Sequence, residues 1–117
     1  MLVTDRGTSF GYNDLVVDFR GLVEMRSFAP ICLDATHSVQ RPGAGNGASA
    51  GDRRFVGPLA RAATALGIDA LFIETHQDPH GAPCDGDCQI RLVDLDRLLG
   101  QVCSIQSVLS PAEMRVA

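Results

Sequence analysis

The feature that most restricts the fold of this chain is an alternation of short apolar runs with longer segments of helical periodicity. The apolar runs end in charged or polar residues and occupy residues 1–4, 31–33 and 71–73. The segments with apolar residues at intervals of three and four occupy residues 15–25, 54–66 and 92–108. Gly67 follows the second segment, where a C-cap glycine is expected. This order predicts an α/β fold, with a parallel sheet of buried strands covered by helices.

Two long segments follow predicted strands at their carboxyl ends. Residues 38–52 are rich in glycine, alanine and serine, and residues 76–89 follow the third strand. Ordinary βα connections are roughly 2–6 residues long, so the glycine-rich segment predicts a mobile functional loop, for which a flexible lid is a sufficient explanation. It is not a Walker loop, because it lacks the lysine that such a loop requires. We expect the chemistry of the chain at this edge of the sheet.

Polar side chains with the chemistry of an anion site and a metal site follow the three strands. Arg6, His37 and Glu74 come after successive strands, and Asp85 lies in the last loop. Imidazole and carboxylate groups are donors for a divalent cation. Ordinary roles also fit, with Arg6 paired to a nearby aspartate and His37 held as a hydrogen-bonded structural residue. A carboxylate after a buried strand is costly without a partner, so a cation or donor should face Glu74.

Composition limits the classes of partner. The 117 residues, 45% hydrophobic and 21% charged, fit one globular domain. The net charge of −4 gives no electrostatic reason to bind nucleic acid or an anionic membrane. No apolar run approaches the roughly 20 residues of a membrane span, and the N-terminus is unlike a signal peptide, so the expected location is the cytoplasm.

The four cysteines are expected to be free thiols. A core of this size does not need disulfides, and the expected compartment is reducing. Cys32 and Cys103 are interpreted as small buried hydrophobic residues. Cys84 and Cys88 have no second Cys/His pair at zinc-finger spacing, which argues against a structural zinc site.

Four ordered motifs resemble those of the 3-deoxy-D-manno-octulosonate 8-phosphate (KDO 8-phosphate) synthases. Residues 4–18, TDRGTSFGYNDLVVD, resemble the family segment ERG-x-x-FGY-x-NLVVD. DATHSVQ at residues 34–40, FIETHQDP at 72–79 and CDG at 84–86 match three further family elements. The motifs cover the chain up to about residue 102. Related synthases that use phosphoenolpyruvate do not combine FGY, DATHSVQ and ETH in this form.

The resemblance implies a partial (β/α)8 TIM barrel made of the last three βα units. Residues 1–108 would form the C-terminal part of this domain, and residues 109–117 a loosely ordered tail. The implied reaction belongs to the synthesis of a lipopolysaccharide precursor. It condenses phosphoenolpyruvate with D-arabinose 5-phosphate and water, and it releases phosphate and 3-deoxy-D-manno-octulosonate 8-phosphate.

The resemblance also assigns roles to the site residues. Arg6 would hold an anionic group of phosphoenolpyruvate, and His37 would lie beside the same substrate, so both are the implied catalytic and substrate-binding residues. His37, Glu74 and Asp85 would be ligands of a divalent metal, Zn, Fe or Mn, in metal-dependent members. Other members need no metal. DATHSVQ is more like the metal-using members and CDG more like the others, so both alternatives stay open.

The family carries a substrate lysine, the sugar-phosphate segment KANRS and a fourth metal position on earlier strands, and this sequence contains none of them. Three of eight units cannot close a barrel, which takes about 250 residues. The alternatives are therefore a non-catalytic remnant, or half of a split enzyme that needs a complementing N-terminal half. A homo-oligomer is also expected from the family.

Overall fold

The computed structural model describes residues 1–44 and 50–109. Its strands, in chain order, are β1 (Val3–Asp5), β2 (Thr8–Phe10), β3 (Asp14–Val16), β4 (Ile31–Asp34), β5 (Gln40–Arg41), β6 (Ala50–Gly51), β7 (Ala70–Phe72), β8 (Thr75–His76) and β9 (Ile90–Arg91). Its α-helices are α1 (Phe19–Arg26), α2 (Val56–Leu66) and α3 (Leu92–Val108). Short 3₁₀ turns cover His37–Val39, Arg53–Phe55 and Pro79–Gly81.

A parallel sheet in the order β1-β4-β7 forms the centre of the described chain. Strand β4 pairs with β1 on one side and with β7 on the other, both in parallel. This confirms the α/β class with parallel strands. Only β4 is buried along its whole length, whereas β1 and β7 are partly exposed, because each has a paired strand on one side only. The prediction of buried strands is therefore confirmed for β4 and was wrong for the two outer strands.

The first predicted helix begins later than its periodicity suggested. Instead of residues 15–25, α1 covers Phe19–Arg26, and Asp14–Val16 pairs with β2 as an antiparallel hairpin. The β-branched pair Val16 and Val17 favours extended backbone, and the Asp18 side chain caps the helix by accepting a hydrogen bond from the Arg20 N–H. The turn of the hairpin uses left-handed backbone at Gly11 and Asn13, with φ of 60° and 58°.

The other two helices agree with the periodicity. Helix α2 ends at Gly67, whose φ of 88° is left-handed, so the predicted C-cap is confirmed. Helix α3 has the predicted bounds of residues 92–108. Both pack on one face of the sheet, where Leu33, Val56 and Leu98 belong to one buried cluster. Among the described residues, no helix combines the length and apolar character needed to cross a membrane.

Short strands pair at the ends of both long loops. Strands β5 and β6 pair and close the base of the glycine-rich loop, and β8 pairs with β9 across the second loop. Part of the predicted lid, residues 45–49, lies outside the described residues. Most of the predicted tail, residues 110–117, also lies outside them. Leu109 is described, and its N–H donates to Gln106 O.

All four cysteines are free, as predicted. Cys32 and Cys88 are buried, whereas Cys84 and Cys103 are exposed and are called the exposed cysteines below. The prediction that Cys103 is buried was wrong. It lies five residues after the buried Leu98, about 140° further around α3, on the side away from the core.

Candidate functional site

The parallel sheet brings the predicted site residues to one edge. Arg6 directly follows β1, His37 begins the 3₁₀ turn after β4, and Glu74 lies two residues beyond β7. Asp85 is on the loop between β8 and β9. One donor atom from each of His37, Glu74 and Asp85 lies within 4.8 Å of the others. The expected cluster of one imidazole and two carboxylates is therefore present.

The His37 ring is fixed by a buried carboxylate. Asp34 Oδ2 lies 2.7 Å from His37 Nδ1, and Asp34 Oδ1 accepts hydrogen bonds from the N–H groups of Thr36 and His37. The ring also stacks on Phe72, with centroids 5.9 Å apart. The ionised carboxylate is an acceptor, so Nδ1 carries the proton and Nε2 is left to face the cluster. Its distance to Glu74 Oε1 is 3.6 Å.

Glu74 is held from both its backbone and its side chain. Its N–H donates to Thr36 Oγ1 over 2.8 Å, which joins the end of β7 to the turn after β4. Its Oε2 accepts a hydrogen bond of 3.1 Å from Gln89 Nε2, and Gln89 also donates to Cys84 O. The predicted donor facing this carboxylate is thus Gln89, and Oε1 points toward His37.

Asp85 occupies a tight turn in the second long loop. Its φ of 52° is left-handed, a conformation that aspartate tolerates better than most residues. Its carbonyl accepts the N–H groups of Cys88 and Gln89, over 2.8 and 3.1 Å. Arg53, just before α2, donates to Gly86 O over 2.8 Å and ties the loop to the helix. These contacts hold the Asp85 side chain at the cluster.

Arg6 is joined to this cluster by Gln40. Arg6 Nη2 donates to Gln40 Oε1 over 2.8 Å, and Gln40 Nε2 donates to Asp85 Oδ1. Arg6 is exposed. The neighbouring Asp5 accepts a hydrogen bond from the Gly7 N–H instead of pairing with Arg6. Among the described contacts, the predicted pairing of Arg6 with an aspartate is therefore replaced by its hydrogen bond to Gln40. The remaining guanidinium N–H groups are available to an anion.

The donor set fits a divalent cation of borderline or hard character. Two ligands about 2.1 Å from a common ion are at most about 4.2 Å apart. The three donor atoms already lie within 4.8 Å of one another, so a small movement is enough to bring them to one ion. Side-chain rotation supplies such a movement. The contact of Asp34 with His37 Nδ1 is the arrangement found behind metal-bound histidines.

Sequence reasoning did not assign roles to Asp34, Gln40 or Gln89. Asp34 and Gln40 lie inside the DATHSVQ motif and Gln89 four residues after Asp85, so their presence was visible but their partners were not. The partners of Gln40 and Gln89 are distant in sequence, at separations of 34, 45 and 15 residues. Only the folded chain assigns these contacts.

The fold and site define an α/β chain whose parallel strands carry an arginine and a His-Glu-Asp cluster at their carboxyl ends. Residues 1–110 match the model of the DAHP synthetase I family. The chain belongs to the DAHP synthetase I family.

Relatives of this chain carry the name 2-dehydro-3-deoxyphosphooctonate aldolase, a synonym of KDO 8-phosphate synthase, and three of them illustrate the similarity. The chain is 52% identical to the protein of Campylobacter jejuni strain 81-176 over 109 residues, which are 93% of this chain and 40% of that protein. The chain is 54% identical to the protein of Helicobacter pylori HPAG1, over 89% of this chain and 38% of that protein. It is 53% identical to the protein of Rickettsia bellii OSU 85-389, over 85% of this chain and 36% of that protein. The resemblance drawn from the four motifs is confirmed. The chain spans about 40% of the length of the curated relatives it matches.

Proposed function

We propose that this chain supplies the phosphoenolpyruvate and metal-binding edge of a KDO 8-phosphate synthase. The reaction condenses phosphoenolpyruvate with D-arabinose 5-phosphate and water. The observation that carries the proposal is the convergence of His37, Glu74 and Asp85 within 4.8 Å, linked to Arg6 through Gln40. The relatives named 2-dehydro-3-deoxyphosphooctonate aldolase support this substrate pair. Both substrates are phosphorylated, and the proposal places the reaction in the cytoplasm.

Each site residue has a proposed task. Arg6 binds the carboxylate or phosphate of phosphoenolpyruvate, because its planar guanidinium forms paired hydrogen bonds with such groups. His37 lies beside the same substrate and presents Nε2. Glu74 and Asp85, together with His37, would hold Mn²⁺, Fe²⁺ or Zn²⁺, which suit imidazole and carboxylate ligands. When bound, such an ion supplies positive charge that polarises a substrate oxygen.

The metal-dependent class is favoured over the metal-independent one by the surroundings of His37. A carboxylate on Nδ1 fixes the tautomer that leaves Nε2 free for an ion. The carboxylates of Glu74 and Asp85, which lie within 4.8 Å of each other and of the imidazole, repel one another unless a positive charge lies between them. Both contacts support an ion at this cluster.

The sheet is proposed to be part of a (β/α)8 barrel, as its sixth to eighth units, with residues 1–108 in that domain and 109–117 as its tail. Closing such a barrel needs further polypeptide, from a complementing half or a homo-oligomer. All ten cationic side chains are arginines, so a lysine for phosphoenolpyruvate must come from elsewhere. The partly exposed strands β1 and β7 and the exposed Phe72 support such a contact.

The test is phosphate release from phosphoenolpyruvate and arabinose 5-phosphate. The chain is mixed with the part of the Campylobacter jejuni relative that it does not match, with Mn²⁺ or with EDTA. We expect release that requires Mn²⁺ and falls about 100-fold in Arg6→Ala, since a lost charge contact to a reacting group typically has that effect.

Arg20→Ala is the matched control, because Arg20 is an exposed arginine in the first turn of α1 whose described ion pair is with Asp18. Its activity should equal that of the unaltered chain. Release that persists in EDTA contradicts the metal assignment, and release unchanged in Arg6→Ala contradicts the role of Arg6. No release from any mixture contradicts the proposed function.

A further inference from the structure

Gln40 is the one described residue that contacts both the anion-binding side and the metal-binding side of the site. Its Oε1 accepts from Arg6 Nη2 over 2.8 Å, and its Nε2 donates to Asp85 Oδ1. No other side-chain contact among the described residues joins Arg6 to the His-Glu-Asp cluster. The two halves of the site therefore meet at a single amide.

These two contacts require a group that accepts one hydrogen bond and donates another. Arginine has only donors and an ionised aspartate has only acceptors, so the residue between them must accept at one end and donate at the other. Glutamine does this in one orientation, with Oε1 toward Arg6 and Nε2 toward Asp85. If the amide were reversed, its NH₂ group would face the N–H groups of Arg6 and its oxygen would face the carboxylate of Asp85, and neither hydrogen bond could form. The orientation of Gln40 is thus fixed by its two partners.

The backbone at Gln40 is well positioned for this task. Its N–H donates to His37 O, which closes the 3₁₀ turn that carries the imidazole. As the first residue of β5, it pairs with Gly51 of β6, and the neighbouring Asp52 N–H donates to Val39 O over 3.1 Å. A short, braced segment therefore carries both an imidazole ligand and the bridging amide.

We propose that Gln40 is a positioning residue that couples the metal site to anion binding at Arg6. An ion that fixes Asp85 also fixes Gln40, which then holds the guanidinium of Arg6 toward the site. One N–H of Arg6 is used by Gln40, and the others remain for the anion. Binding at each half consequently favours binding at the other, as linkage requires. This inference rests on the proposed function, because it takes Asp85 as a ligand and Arg6 as the anion-binding residue.

The test is a pair of titrations of the full chain, with Mn²⁺ alone and with phosphoenolpyruvate in the absence and presence of Mn²⁺. The readout is the factor by which Mn²⁺ tightens phosphoenolpyruvate binding. Gln40→Met keeps the length of the side chain and removes both hydrogen bonds. Mn²⁺ binding should weaken about tenfold, which is the lower end of the roughly 10- to 100-fold range typical for losing a hydrogen bond to a metal ligand. The coupling factor should fall to about 1, since α = 1 means no coupling.

Gln101→Met is the matched control. Gln101 Oε1 also accepts from an arginine, Arg61, over 3.0 Å, but on the α2–α3 face away from the site. Its coupling factor should equal that of the unaltered chain. Gln40→Asn keeps the amide on a shorter side chain that cannot reach both partners, so it should lose the coupling as Gln40→Met does, and circular dichroism verifies that both variants fold.

If Gln40 has only a structural role, Gln40→Met should weaken the binding of both Mn²⁺ and phosphoenolpyruvate and leave the coupling factor unchanged. That result overturns this inference but not the proposed function. The inference is also overturned if the Kd for Mn²⁺ and the coupling factor of Gln40→Met are both within twofold of those of the unaltered chain. If the unaltered chain binds no Mn²⁺, the proposed metal site and this inference are both overturned.

Discussion

Replacing Asp34 by asparagine tests how the fold prepares His37 for an ion. Asp34 is 7% exposed and makes two kinds of contact. Its Oδ1 accepts two backbone N–H groups, over 3.1 and 2.8 Å, and its Oδ2 lies 2.7 Å from His37 Nδ1. An asparagine that keeps its oxygen toward the backbone must turn its NH₂ group to Nδ1. The imidazole proton then moves to Nε2, the atom that faces the cluster.

The expected result of Asp34→Asn is a selective loss of metal affinity. Changing the partner of a metal-bound histidine typically weakens binding 10- to 100-fold, or about 1.4–2.7 kcal/mol. The two backbone hydrogen bonds survive, so the free energy of unfolding should fall by less than about 1.5 kcal/mol. Isothermal titration with Mn²⁺ and urea unfolding measure the two quantities. Asp18→Asn, at the exposed cap of α1, is the matched control. A Kd for Mn²⁺ within twofold of the unaltered chain would refute the reasoning.

Three further predictions concern the fold. Burial alone would raise the pKa of Asp69, but hydrogen bonds from Arg26 and from the Ile31 N–H, together with the charge of Arg26, lower it overall. The ionised Asp69 therefore stabilises the folded chain above about pH 4, and this stabilisation is lost as the pH falls through the lowered pKa. Arg26→Ala should therefore cost about 1–2 kcal/mol in urea unfolding at pH 7 and progressively less as the pH falls below about 4. A cost that does not change with pH would contradict this. Gly67→Ala should destabilise the chain by about 1 kcal/mol, because the backbone φ of Gly67 is 88°. Gly100→Ala, inside α3 with open space around it, should instead stabilise the chain by about 0.5–1 kcal/mol, and a change of the same sign for both variants would be inconsistent with the structure. Burial raises the pKa of Cys88 to about 11, so iodoacetamide and mass spectrometry should find it unmodified in the native chain while both exposed cysteines react, and equal labelling would show that it is not buried.

The sequence predicted the central sheet because its strands are set by local signals. Apolar runs that end in polar residues mark β4 and β7 within one residue, and the periodicity of residues 92–108 marks α3. The segment after Arg6 was less predictable. Leu15 and Val16 fit the spacing of a helical face as well as the alternation of a strand, and only pairing with β2 favours the strand.

The candidate site was predictable in its residues and not in its contacts. His37 and Glu74 come directly after or near strand ends, and parallel strands place such residues at one edge whatever the details. The bridge through Gln40 and the donor Gln89 depend on side-chain rotamers and on a loop whose course local sequence does not determine. The exposure of Cys103 depends on which face of α3 meets the core, and its cysteine side chain fits either face.

The most direct test of the central claim is anomalous diffraction from crystals of the chain soaked with Mn²⁺. The account predicts one anomalous peak within about 2.5 Å of His37 Nε2 and of a carboxylate oxygen from each of Glu74 and Asp85. It also predicts that the peak disappears in His37→Ala crystals. A Mn²⁺ peak elsewhere, with none between these three side chains, would contradict the claim that the strand ends assemble a metal site.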